Sequence, residues 1–175
     1  MQKVQEGMED FPKEFSKEMY EKVKKNPEDY PPWFVGFYGF CTSFSSIYFG
    51  SYVGNLYDRE IPNRIKNLTR QRENLLDVHF EARRYQDLNP TNYHHCVFYC
   101  DPPYKNTQKY AKQEMDYEHF YEWCHKLAQN NVVLVSEYNM SEGFECIYEK
   151  ETRCTINMTS PKDSKRVDKL YLTKG

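Results

Sequence analysis

The chain has 175 residues, of which 39% are hydrophobic and 29% charged, with a formal net charge of -2. This length predicts one domain with a packed core, and the 16 Tyr and 11 Phe exclude a disordered composition. No apolar stretch approaches the roughly 20 residues that span a bilayer, and the first ten residues lack the apolar core of a signal peptide. We therefore expect a soluble, cytoplasmic protein with no membrane partner.

The first part of the chain contains one clear helical pattern. Residues 11–25 predict a helix, because Phe15, Met19 and Val23 recur every four residues along one face. Residues 33–54 are dense in aromatics, serine and glycine and show neither a helical nor a strand period. They predict compact irregular structure with short helical or strand pieces.

The segment that follows carries a local positive charge. Residues 63–76 have the apolar spacing of a helix, and residues 78–81 are a short strand candidate. Between positions 59 and 72, five basic residues against one acid, Glu60, leave a local balance of +4. The five are Arg59, Arg64, Lys66, Arg70 and Arg72. Because the net charge of the whole chain is slightly negative, a nucleic-acid partner would be bound by this patch, although a solvated helix face has the same composition.

The second half of the chain predicts an α/β unit. An apolar strand over residues 94–100 is followed by a helix over residues 117–130 and by a strand over residues 132–136 that is covered on both faces. The helix is expected to turn Phe120, Trp123, Cys124 and Leu127 inward. Two further strands are expected at residues 144–149 and 169–173. The order of strand, helix and strand predicts a parallel pair.

The most specific short motif is Asp101-Pro102-Pro103-Tyr104, directly after the first of these strands. Two consecutive prolines cannot continue a central strand, so the strand must end there. In an open α/β sheet the reactive crevice lies at the carboxyl ends of the strands. A plain β-turn is the alternative, because Asp-Pro-Pro is good turn chemistry. The apolar strand before the motif, the polar loop after it and the later buried strand with Ser136-Glu137-Tyr138 favour a functional site.

The stretch from Val97 to Tyr104, with Thr107, Tyr110 and the strand over residues 132–138, resembles the DPPY region of Dam-like DNA adenine methyltransferases, particularly phage-type members. The similarity covers most of the chain from about Tyr20 onward. It implies an α/β, Rossmann-like S-adenosylmethionine-dependent methyltransferase fold that is incomplete at its N-terminal half. It also implies that residues 1–76 form the DNA-recognition region and residues 77–175 the catalytic portion.

Members of this family transfer a methyl group from S-adenosylmethionine to the exocyclic amino nitrogen of an adenine in double-stranded DNA. The resemblance implies that the Asp101 carboxylate and the Pro102 carbonyl accept hydrogen bonds from that amino group, with Pro103 completing the motif. It implies that Tyr104 stacks on the flipped base. Cofactor contacts are expected from Tyr85, Asp87 and Asp101. DNA contacts are expected from Thr107, Tyr110 and the five basic residues between positions 59 and 72.

The chain also departs from the family pattern. The Phe-x-Gly-x-Gly turn that approaches the cofactor is absent, and residues 49–54 have the wrong glycine spacing. Arg84-Tyr85 stands where an acidic residue commonly precedes an aromatic one. These departures indicate a partner chain that supplies the cofactor loop, or a catalytically inactive DNA-binding fragment or accessory subunit. Methylation of a nitrogen in RNA or protein, which uses related motifs, is a third alternative. The five histidines show no ligand spacing, so no metal site is expected.

Overall fold

The structure, a computed structural model, describes residues 1–12, 14–54, 60–105, 115–153 and 165–175. The chain divides into two compact units, Met1–Ala82 and Arg83–Gly175. Length alone predicts one core, whereas each unit has its own cluster of buried apolar side chains. The boundary predicted between residues 76 and 77 falls inside the first unit.

The first unit is helical within its described residues. It contains α1 (Gln2–Glu6), α2 (Lys17–Lys25), α3 (Pro32–Cys41) and α4 (Glu60–Gln71), with short 3-10 turns at Pro27–Asp29, Phe44–Ser46 and Glu73–Leu75. The helix predicted over residues 11–25 is confirmed from Lys17 onward. It begins there because the Ser16 side chain accepts a hydrogen bond from the Met19 amide at 3.1 Å, which is an N-cap. Its apolar face places Val23 at full burial.

Helix α3 is longer than the short pieces predicted for residues 33–54, whereas residues 42–54 are irregular around one 3-10 turn, as predicted. Pro32 stands at the first helical turn, where its missing N–H group costs nothing. Val35, Phe37 and Tyr38 are buried, so aromatic packing stabilises a sequence that has no amphipathic period. A Cβ atom at Gly39 would collide with the Tyr48 ring, which explains why glycine interrupts this aromatic helix.

The strand expected at residues 78–81 is not formed. The Gln5 side-chain amide donates to the Val78 carbonyl at 2.6 Å, and the Gln2 amide donates to the Phe80 carbonyl at 2.8 Å. Side-chain donors from α1 therefore satisfy backbone acceptors that a neighbouring strand would otherwise satisfy.

The second unit is a four-stranded sheet with one long helix. Its elements are β1 (Val97–Cys100), α5 (Tyr117–Ala128), β2 (Val132–Glu137), β3 (Phe144–Arg153) and β4 (Lys165–Thr173), with 3-10 turns at Tyr85–Asp87 and Pro90–Asn92. The strand order is β1-β2-β4-β3. β1 and β2 are parallel, whereas β4 is antiparallel to both β2 and β3. The sheet is mixed, and the α/β class is confirmed.

The predicted parallel unit β1-α5-β2 is confirmed, as are the positions of both later strands. Asp116 caps α5 by accepting from the His119 amide at 3.0 Å, and the four side chains expected to face inward are all buried. The expectation that both faces of β2 are covered is wrong. Val133 and Val135 are fully buried, whereas Val132 is 46% exposed on the other face. No helix within the described ranges is long and apolar enough to cross a membrane.

Candidate active site

The Asp101–Lys105 loop follows the carboxyl end of β1, next to the carboxyl end of the parallel strand β2. Cys100, the last residue of β1, is in register with Val135 of β2. Ser136 and Glu137 therefore continue β2 past the point where the two prolines stop β1. This places polar side chains of one strand end next to the loop that leaves the other.

Tyr104 is held on two sides by residues at the end of β2. Its hydroxyl shares a hydrogen bond with the Ser136 hydroxyl at 2.5 Å. Its ring meets the Tyr138 ring edge to face, with 4.5 Å between ring centroids and 88° between planes. Burial raises the pKa of the Tyr104 hydroxyl, so the phenol stays protonated at neutral pH. The orientation of the ring is therefore fixed in the absence of any ligand.

Glu137 fixes the backbone of the same loop. Its carboxylate is 1% exposed and accepts hydrogen bonds from the Lys105 amide at 2.9 Å and from the Tyr138 amide at 2.7 Å. Two backbone donors compensate a buried charge that would otherwise be strongly unfavourable. No site role was assigned to Glu137 from the sequence. The available signal was an acidic residue ending an apolar run in the strand parallel to β1.

Asp101 and the prolines occupy the open side of the loop. Asp101 and Pro103 are exposed and Pro102 is half-buried. The Tyr117 hydroxyl donates to the Pro103 carbonyl at 2.6 Å, which ties the loop to the start of α5. Within the described residues the Asp101 carboxylate has no hydrogen-bond partner, so it can accept a hydrogen bond from a ligand.

Tyr85 and Asp87, the residues expected to contact a cofactor, lie in one 3-10 turn but have different surroundings. The Tyr85 hydroxyl shares a hydrogen bond with His119 Nδ1 at 3.0 Å, and its ring packs edge to face against Phe120 and Trp123. Burial raises the pKa of this phenol. Tyr85 is thus part of the packing around α5, whereas Asp87 is exposed.

Asp87 lines a cavity of about 310 Å³. The other lining residues are Gln86, Leu88, Asn89, Pro90, His119, Trp123 and Lys126. The Trp123 indole N–H donates to the Leu88 carbonyl at 3.0 Å and is therefore already used inside the protein. A carboxylate, two amides and an apolar wall suit a polar ligand that has a flat apolar part, such as an adenosine group.

The described residues do not form the glycine turn that the cofactor's remaining part would need. Gly50 follows a 3-10 turn in the first unit and not a parallel strand. Gly143, with φ of 93°, precedes the antiparallel strand β3. The described residues therefore do not form a backbone cradle for the methionine part of such a cofactor.

The basic residues expected to contact DNA have two different environments. Arg64 Nη1 donates to the carbonyls of Cys41 at 3.0 Å and Ser43 at 2.7 Å, next to the end of α3. Arg72 donates to the Val4 carbonyl at 3.1 Å and the Gln5 carbonyl at 3.0 Å, in α1. Lys66 and Arg70 are exposed. Arg59, Thr107 and Tyr110 lie outside the described residues.

We expect Arg64→Ala to lower the free energy of unfolding by about 2 kcal/mol, because it removes charged donors from carbonyls at a helix end. Lys66→Ala, in the same helix and exposed, should change it by less than about 0.5 kcal/mol. Urea unfolding followed by circular dichroism measures both. Equal stabilities of the two variants would show that Arg64 does not anchor α4.

Two cysteine thiols meet directly behind Asp101. Hydrogen bonding with Cys100 and burial raise the pKa of the Cys124 thiol far above its usual range, and the same hydrogen bond lowers the pKa of Cys100. Cys124 is fully buried in α5, and Cys100 is the last residue of β1. The pair therefore packs the helix against the strand that carries the motif.

We expect Cys124 to resist alkylation by iodoacetamide at pH 8, because a buried, protonated thiol is a poor nucleophile. Among the cysteines that the structure describes, the exposed Cys146 should be modified first. Peptide mass spectrometry over a time course gives the order of modification. Modification of Cys124 as fast as Cys146 in the folded protein would contradict the packing described here, and denatured protein provides the control.

Within the described ranges, no group of three or more His, Cys, Asp or Glu side chains is placed to hold a metal ion. Comparisons of the chain with protein-family models, with curated proteins and with solved structures give no match. The candidate site therefore consists of the Asp101–Lys105 loop and its supports on β2, and no residue of this loop is among those that line the cavity at Asp87.

Proposed function

We propose that this chain is a DNA adenine-N6 methyltransferase of the Dam-like, phage type, acting in the cytoplasm on double-stranded DNA with S-adenosylmethionine. The observation that carries the proposal is the Asp-Pro-Pro-Tyr loop, which leaves β1 beside the end of the parallel strand β2. Open α/β sheets bind their ligands at such carboxyl ends. A Rossmann-like sheet, of which β1-α5-β2 would be one unit, is part of the proposal.

The residues of the loop suit the chemistry of an adenine amino group. That nitrogen is a weak nucleophile, because its lone pair is delocalised into the ring. The Asp101 carboxylate would accept one hydrogen bond from the amino group and the Pro102 carbonyl a second. Both bonds would draw the nitrogen toward a tetrahedral geometry, in which its lone pair is available. S-Adenosylmethionine, when bound, supplies an electrophilic methyl group.

Tyr104 would stack on the target base after that base has left the duplex, since the amino group cannot be approached inside the base stack. The hydrogen bond to Ser136 and the contact with Tyr138 hold the Tyr104 ring in place before DNA binds. A preorganised ring loses little rotational freedom on binding, which favours association.

The proposal includes a partner chain that supplies the missing cofactor loop. Asp87 and the cavity that it lines would bind the adenosine part of the cofactor. A glycine turn next to the end of β1 would have to come from residues beyond the described ranges or from that partner.

A second candidate function is a catalytically inactive DNA-binding fragment or accessory subunit of such an enzyme. The specific observation that favours it is the lack, among the described residues, of a glycine turn after a parallel strand. The exposed basic residues of α4 would be retained in such a protein.

Isothermal titration of S-adenosylmethionine into the purified chain distinguishes the two functions. Saturable binding that weakens about tenfold in Asp87→Ala would support the enzyme, since a carboxylate that bonds ribose hydroxyls contributes roughly this much. Asp29→Ala, at an exposed turn, is the matched control. No detectable binding by a chain whose circular dichroism shows an intact fold would exclude an enzyme that acts without a partner chain and would favour the accessory subunit.

A further inference from the structure

Helix α4 has one face that anchors it and one face that is open. Ile61 is buried, and Ile65 and Leu68 pack against the core of the first unit. Arg64 in α4 and Arg72, the residue directly after α4, donate to backbone carbonyls of the first unit. Apolar contacts and two guanidinium groups thus fix the rotation of α4 about its axis. A helix held in this way presents its remaining face in one defined orientation.

The middle of the open face carries two amides and two cations. Asn63, Lys66, Asn67 and Arg70 are all exposed. Their spacing of three, four and seven residues confines them to about 100° of the helix circumference. On the helical projection the amides lie toward one side of this stripe and the cations toward the other. We call these four residues the α4 stripe.

The chemistry of the α4 stripe differs from that of a simple solvated face. Such faces usually alternate acidic and basic residues, whereas residues 61–71 of α4 include no Asp or Glu after Glu60 at its start. A helix face that binds only the phosphates of DNA needs cations and has no need of amides. Asparagine amides pair in two-point fashion with the N6 and N7 edge of adenine in the major groove, which admits an α-helix. The rise from Asn63 to Arg70 is about 10 Å, close to three base-pair steps.

We infer, resting on the proposed function, that the α4 stripe reads DNA sequence from the major groove. Asn63 and Asn67 contact base edges and determine specificity. Lys66 and Arg70 contact flanking phosphates and set affinity. Arg64 and Arg72 act as anchors of the helix and not as DNA ligands. Duplex RNA is not the partner, because its major groove is too narrow for an α-helix.

Selection from a pool of random DNA duplexes with the purified full chain tests this assignment. The wild-type chain should enrich a defined sequence. The double variant Asn63→Ala, Asn67→Ala should lose preference at about two positions of that sequence and bind it at least about tenfold more weakly. Its affinity for random duplex should change by less than about twofold. Asn92→Ala, which removes another exposed amide, should enrich the wild-type sequence.

The cations give a second, independent readout. Lys66→Ala with Arg70→Ala should weaken binding to every duplex and lower the slope of log affinity against log salt by about 0.9 per cation. Lys22→Ala with Lys25→Ala, two exposed lysines on α2, should leave the slope unchanged. An unchanged slope in the Lys66 and Arg70 variant would overturn the phosphate contacts.

Three results would overturn the assignment of base reading. They are a wild-type chain that enriches no sequence, an Asn63 and Asn67 variant that enriches the wild-type sequence, and tighter binding to duplex RNA that depends on the same amides. A methyl-transfer assay separates this assignment from the proposed function. Sequence selection through Asn63 and Asn67 without methyl transfer would overturn the proposed function alone. Methyl transfer with unchanged sequence preference in the variant would overturn the base reading alone.

Discussion

Asp101→Ala is expected to reduce methyl transfer to DNA by about 100-fold or more, because it removes the acceptor that polarises the adenine amino group. The side chain is exposed and makes no hydrogen bond within the described residues, so its loss should not affect folding. A tritiated methyl donor with duplex DNA measures the rate, and circular dichroism checks the fold. DNA affinity should change by less than about threefold, because the effect lies in the chemical step.

Asp101→Asn separates position from charge. The amide keeps one acceptor oxygen in the same place, so we expect it to retain part of the activity that alanine loses. Asp77→Ala, at another exposed aspartate, should leave the rate unchanged. A transfer rate in Asp101→Ala equal to that of the wild type would remove Asp101 from the reaction.

Glu137→Ala is expected to lower the free energy of unfolding of the second unit by about 3 kcal/mol. It leaves the Lys105 and Tyr138 amides without their carboxylate acceptor, and hydrogen bonds to a charged group contribute about 1.5 to 3 kcal/mol each. Glu137→Gln should lower the free energy of unfolding by less than Glu137→Ala does, because one acceptor oxygen remains. It should still be destabilising, because the glutamine NH2 group faces a backbone N–H donor. Both variants should also slow methyl transfer, because Lys105 ends the motif loop.

Urea unfolding monitored by Trp123 fluorescence reports on the second unit when Trp33 is replaced by phenylalanine in every variant. Glu149→Ala, an exposed glutamate in β3, is the matched control and should change stability by less than about 0.5 kcal/mol. Unfolding of Glu137→Ala at the same urea concentration as its parent would mean that the buried carboxylate does not stabilise the loop.

Much of the second unit could be predicted because local pattern and tertiary structure agree there. The apolar spacing in α5 and the apolar run of β2 each indicate one structure, and the two prolines after β1 allow no continuation. The antiparallel pairing of β4 with β2 could not be read from these patterns. It depends on where the chain returns to the sheet, which short apolar strands do not encode.

The first unit shows where local pattern fails. Helix α3 has no amphipathic period, and only tertiary packing of its aromatic side chains explains why it is helical. Arg64 and Lys66 are both basic residues of α4, yet one binds carbonyls and the other is exposed. The composition of α4 predicts the same role for Arg64 and Lys66. Only the packing of α4 against the end of α3 shows that Arg64 anchors the helix and that Lys66 is a surface charge.

The motif Asp101 to Tyr104 was evident in the sequence, whereas its supports were not. Ser136, Glu137 and Tyr138 lie about thirty residues later in the chain and reach the loop only because β1 and β2 are parallel and in register. Strand register is a tertiary property. Glu137 therefore looks like an ordinary polar residue at the end of a strand until the neighbouring loop is in place.

The reaction product distinguishes methylation of adenine at N6 from methylation at any other position. The purified chain is incubated with duplex DNA and S-adenosylmethionine, the DNA is digested to nucleosides, and these are identified by mass spectrometry. We expect N6-methyl-2'-deoxyadenosine from the wild-type chain and at least about 100-fold less of it from Asp101→Ala. A different methylated nucleoside, or no methylated nucleoside from a folded chain that binds S-adenosylmethionine, would contradict the proposed function.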